Sequence, residues 1–157
     1  MKNLFLPLSA ISLIMSTVVT SSHANATEGL SANVAATSNY LWRGLEQTNG
    51  AAALSGGIDY ADKSGFYVGT WVSNADWANN DMTYELDLYG GFSADINESI
   101  SYDLGFIYYA YPDETSGDAD FSEVYASLSF GSLSLGVAVL ADGEGADAGD
   151  TIYASAD

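Results

Sequence analysis

The sequence predicts an all-β fold, an antiparallel up-and-down transmembrane β-barrel, on three observations. Stretch after stretch alternates apolar and polar residues with period two, and no helical period follows the opening segment. The links between these stretches alternate between long and tight. The polar face carries Gly, Ser, Thr, Tyr and carboxylates, where the outside of a soluble sandwich would mix Lys and Arg with the acids.

Composition narrows the function classes. With 157 residues the chain makes one domain, and a net charge of −18 beside 48% hydrophobic residues describes an acidic chain that still has enough apolar surface to fold. Beyond the opening segment the only basic residues are Arg43 and Lys63, which excludes nucleic-acid binding, since neutralising phosphates takes clustered cations. The absence of cysteine removes disulfides and thiolate chemistry, and the single histidine, His23, falls at the end of the opening segment. No nucleophile–base pair is left, so no enzyme and no cofactor is expected.

Residues 1–26 read as a secretory signal: Lys2 gives the positive start, residues 4–19 are apolar but broken by Ser and Thr, and small residues follow. Cleavage is expected after Ala24 or Ala26, because a spanning helix takes about 20 apolar residues and this run is shorter and interrupted. Residues 27–157 then form the barrel portion.

In residues 30–42, Leu30, Ala32, Val34, Ala36, Tyr40 and Trp42 share one face, with Ser31, Asn33, Thr37, Asn39 and Arg43 opposite. Next, Leu54, Ile58 and Tyr60 oppose Ser55 and Asp59, and Phe66, Val68 and Val72 oppose Tyr67, Gly69, Trp71 and Ser73. From Thr83 onward, Tyr84, Leu86, Leu88 and Phe92 oppose Glu85, Asp87 and Tyr89. Residues 100–109 set Ile100, Tyr102, Leu104, Phe106 and Tyr108 against Ser101, Asp103 and Gly105. Residues 122–130 set Val124, Ala126, Leu128 and Phe130 against Glu123, Tyr125, Ser127 and Ser129, and residues 133–139 repeat the theme. Long links are expected at 45–50, 74–82, 111–121 and 141–150, with tight turns at 61–65, 94–98 and 131–132. Aromatics near the expected strand ends, at Tyr40, Trp42, Tyr60, Phe66, Tyr67, Phe92, Tyr108, Tyr109 and Tyr111, suit an interfacial girdle.

The run Ser38-Asn39-Tyr40-Leu41-Trp42-Arg43-Gly44 with Gln47-Thr48 resembles the first-strand motif of the TorF family of porin-like bacterial proteins. Residues 65–74 (GFYVGTWVSN) and 85–92 (ELDLYGGF) are similar to that family's second and third blocks, and the likeness runs from about residue 29 to the end. The resemblance implies an outer-membrane pore without defining its solute. Members of that family are typically longer and barrels of this kind tend to end on an aromatic residue, whereas this chain stops at Asp157. Residues 151–157 also fall short of the about nine to eleven residues a spanning strand takes, so a C-terminally truncated barrel is expected, with seven full strands and a stub. Eight-stranded closure would leave an interior largely filled by side chains.

The candidate site is a lumen lined by Arg43, Asp59, Glu85, Asp87, Asp103 and Glu123, one cation against five anions. Arg43 is expected either to pair with Glu85 or Asp87 or to form a constriction. The acidic loops 113–120 and 142–150 offer oxygen ligands to Ca²⁺ without matching an EF-hand, and solvated acidic loops are the alternative. The expected function is passive diffusion of small hydrophilic solutes, with cation preference, through a barrel in contact with outer-membrane lipid. The alternative is a non-conducting barrel with a structural or surface-binding role.

Overall fold

A computed structural model describes residues 22–27, 29–76, 82–115 and 119–157. Among them the strands are β1 (Ser22–Thr27), β2 (Leu30–Thr37), β3 (Leu41–Trp42), β4 (Leu45–Glu46), β5 (Ala53–Ala61), β6 (Phe66–Asn74), β7 (Tyr84–Asn97), β8 (Ile100–Ala110), β9 (Phe121–Phe130), β10 (Leu133–Gly143) and β11 (Ile152–Ala156). Nine of them form one antiparallel sheet in the order β1-β2-β5-β6-β7-β8-β9-β10-β11, while β3 and β4 pair separately as a small hairpin. The fold is all-β, as the alternation predicts. The sheet is open, with β1 and β11 at its edges, so the described residues do not close into a barrel; the sequence led to the expectation of seven full strands and a stub that cannot close alone. Among these residues no helix is long and apolar enough to cross a membrane, a fact that says nothing about crossing with strands.

Tight turns set the meander. Gly131, with φ of +62°, takes the first central position of the two-residue link between β9 and β10, where a mirror-image turn needs a positive φ and a side chain would be strained. The Asp62 amide donates to the Phe66 carbonyl at 2.8 Å and closes the β5–β6 turn. The β7–β8 turn is tighter than the expected 94–98: β7 runs on to Asn97, and only Glu98 and Ser99 turn the chain.

The polarity of the two faces is reversed from that of a water-soluble sheet. Leu54, Ile58, Val68, Leu88, Leu104 and Val124 stand exposed on one face, Val68 at 57%. The opposite face, carrying Ser73, Tyr67, Glu85, Asp87, Tyr109 and Glu123, is buried. The buried face is the concave one. Tyr40, three residues past β2, reaches Trp71 of β6 and Glu85 of β7, and Arg43, three residues further, reaches Glu123 of β9 and Tyr153 of β11. β2 and β11 are seven strand spacings apart, roughly 34 Å in a flat sheet and more than the about 20 Å that six residues span, so the sheet curls around its polar side.

Glycines leave room for this curl. Tyr67 faces Gly91, Tyr89 faces Gly69 and Tyr125 faces Gly105 in cross-strand register, and each ring lies over its glycine. A Cβ on Gly105 would come within 2.3 Å of the Tyr125 ring, so the ring can lie flat along the sheet only because the facing residue has no side chain. The apolar part of the concave side gathers at its long-loop end, where Met82, Ile107, Tyr109 and Tyr111 pack with Trp42 and Phe121.

Two sequence expectations need correction. Residues 30–42 are not one strand: β2 ends at Thr37, and the segment that follows folds back through β3 and β4. Tyr40 and Trp42 therefore leave the apolar face, although they keep its parity, and Tyr40 is buried at 3% exposure. The aromatics expected to form a girdle also divide between the two faces. Tyr60, Phe66 and Phe130 lie exposed on the apolar face, and Phe66 packs edge-on against Phe92 at 4.9 Å, but Tyr40, Tyr67, Tyr109 and Tyr111 turn inward. β1 overlaps residues 22–26, the end of the expected leader, and pairs with β2. The rest of the leader lies outside the described residues, as do parts of the loops at 74–82 and 111–121.

Candidate functional site

The concave face is organised by carboxylates accepting tyrosine hydroxyls. Alternation along β7 turns Glu85, Asp87 and Tyr89 inward together, and register sets Trp71 of β6 and Tyr109 of β8 on either side of Asp87. Glu85, 2% exposed, takes a hydroxyl on each oxygen: Tyr40 donates to Oε1 and Tyr111 to Oε2, both at 2.6 Å. Deeper along the same face Tyr67 donates to Asp103 at 2.5 Å, and Tyr89 donates to Asp59. Charge-assisted bonds to carboxylates are the stronger kind, so the deeper two pairs tie strands two apart, β6 to β8 and β7 to β5.

The segment 38–50 folds onto this face as a plug. The Tyr40 amide donates to the Thr48 hydroxyl at 3.1 Å, the Gln47 amide to the Tyr40 carbonyl at 2.8 Å, and the Asp76 amide to the Gln47 carbonyl at 2.7 Å. At its tip Arg43 adopts φ of +50°, a left-handed conformation unusual for a long side chain, and Gly44 follows at +83°. The surroundings hold it there. Arg43 donates from both Nη atoms to the two Glu123 oxygens, at 2.7 and 2.6 Å, and its guanidinium lies 4.2 Å from the Trp42 ring centre and 4.3 Å from that of Tyr153. A bidentate pair between stacked rings suits the planar guanidinium and would not suit a lysine.

All six sequence-predicted residues lie on the polar face. Arg43, Glu85, Asp87 and Glu123 gather at its long-loop end, whereas Asp59 and Asp103 belong to the deeper tyrosine pairs. The partner expected for Arg43 was Glu85 or Asp87, and that is corrected: Glu123 takes both guanidinium donors. Glu85 is instead saturated by tyrosines, and the plug carries Arg43 across to β9. The inward tyrosines Tyr40, Tyr109 and Tyr111, absent from the sequence-predicted set, complete the site. In the acidic loops Asp113 accepts the Thr83 amide at 2.8 Å and Asp120 the Tyr111 amide at 2.7 Å. Among the described residues no three acidic or histidine side chains converge to hold a metal ion.

The Asp113 carboxyl lies outside the sheet and is held below the usual carboxylate range: slight burial works against this, and the hydrogen bonds from Thr83 outweigh it. Asp62, in the β5–β6 turn, is lowered by the Ser64 hydroxyl and amide.

A family model described as "Bacterial protein of unknown function (Gcw_chp)" matches residues 21–157. The chain belongs to this family. No curated protein and no solved structure matches it. The Gcw_chp match takes in β1 to β11, so the plug, the inward tyrosines and the carboxylates all fall within it.

Proposed function

We propose that this Gcw_chp chain is an exported outer-membrane barrel protein, porin-like in the sense of the TorF resemblance, whose polar face lines a narrow, cation-preferring passage for small hydrophilic solutes. The observation that carries this reading is the reversed polarity of the sheet, with Leu, Val, Ile and Phe exposed outside and carboxylates buried inside. Exposed apolar surface on this scale belongs against another apolar phase, and backbone groups in hydrocarbon are all paired only when a sheet closes on itself. Residues 1–26 supply export, and the aromatic residues near the short turns sit where the lipid headgroups lie. The reading assigns no catalytic step.

Passage selects by charge, because four uncompensated acids remain when Glu123 is set against Arg43. In planar bilayers the full chain should give reversal potentials of cation-selective sign, and anion preference refutes this. A second reading, a non-conducting barrel with a structural or surface-binding role, draws on the tyrosines laid across the polar face and on the plug. Liposome swelling separates the two, since a filled interior admits no solute.

A further inference from the structure

Four of the five carboxylates on the polar face are matched by donors: Asp59 by Tyr89, Glu85 by Tyr40 and Tyr111, Asp103 by Tyr67, and Glu123 by Arg43. Asp87 differs. It is 6% exposed, and among the described residues its Oδ1 has no hydrogen-bond partner. An ionised oxygen without a donor is costly to bury, and Glu85 next to it on the same face adds repulsion. Trp71 and Tyr109 flank it in register, Tyr40 meets Trp71 edge-on at 5.2 Å, and Trp42 meets Tyr109 edge-on at 5.8 Å. The nearby guanidinium of Arg43 is committed to Glu123.

A lone carboxylate oxygen walled by aromatic rings is suited to an organic cation: the oxygen accepts an N–H, and the π-faces favour the charge. We propose that Asp87, with Tyr40, Trp71 and Tyr109, forms a binding site for a small solute carrying an N–H-bearing cationic group, a primary ammonium above all. This deepens the cation preference proposed above and rests on the polar face being a watered interior. A quaternary ammonium has no proton for Oδ1, and a divalent metal would want more carboxylates than converge here among the described residues. The oxygen is sealed in this conformation, so the solute reaches it as the plug bearing Tyr40 lifts from Glu85.

The test is a tryptophan-fluorescence titration of the full chain in phosphatidylcholine vesicles with methylammonium, tetramethylammonium and sodium chlorides at equal ionic strength. Methylammonium should give a saturable response that the other two do not. Asp87→Asn should weaken it by about tenfold or more, the loss of one charge-assisted hydrogen bond, while Asp62→Asn, in the β5–β6 turn, leaves it unchanged. Circular dichroism checks that each variant folds, and Tyr109→Leu, which keeps both the carboxylate and the tryptophans, should weaken methylammonium severalfold. Superimposable methylammonium and sodium curves, or native-like affinity in folded Asp87→Asn, overturn the proposal. Vesicle-embedded protein without a methylammonium response sinks the site and leaves the barrel; protein that never enters the vesicles sinks both.

Discussion

Arg43 is the residue on which the polar face turns, since its guanidinium ties the plug tip to β9 from 80 positions away. Glu123 is 3% exposed in its side chain, so removing its partner leaves a buried charge uncompensated. Arg43→Ala should cost about 3–5 kcal/mol, and the double variant Arg43→Met with Glu123→Leu should recover most of that. Thermal unfolding in detergent, followed by the gel mobility of folded and unfolded forms, measures both. At Asp113 the folded carboxyl titrates below its unfolded value, so its contribution is complete above the unfolded pKa and is lost as pH falls through the folded one. Amide exchange at Thr83 should therefore stay slow through mild acid and quicken only below the ordinary carboxylate range. In Asp113→Asn that acid dependence should vanish.

The elements show which features the sequence discloses. Alternation places Asp59, Glu85, Asp87, Asp103 and Glu123 on the polar face correctly, because a strand has a period of two whatever its partners do. The plug stays hidden for the same reason: Tyr40 and Trp42 keep the apolar parity of β2, and nothing in that pattern reveals the break after Thr37 or the left-handed Arg43–Gly44 tip. The Arg43–Glu123 pair depends on curl, and the tyrosine-over-glycine pairs depend on register, neither of which parity specifies. Glycines facing tyrosines are the signal that register would have exposed. Gly105→Val should push Tyr125 off Tyr67 and cost about 1–3 kcal/mol by the same unfolding assay, since the crowded ring is hydrogen-bonded and cannot simply swing away. Replacing β3 and β4 by a short glycine link should raise bilayer conductance; an unchanged conductance would place the constriction elsewhere.

For the whole molecule everything follows from which face meets which solvent. On the proposed reading, the sheet curls around carboxylates and tyrosines and turns its aliphatic side chains outward to lipid. The chain has no cysteine, so single-cysteine spin labels can be placed without background. The most direct measurement is therefore label accessibility in lipid vesicles at consecutive positions through β8 and β9. The account predicts oxygen-accessible, lipid-facing labels at Leu104, Phe106, Val124 and Leu128, alternating with shielded or water-reached labels at Asp103, Gly105, Tyr125 and Ser127. A detergent-free monomer in which the first set is shielded from oxygen and water alike would contradict it.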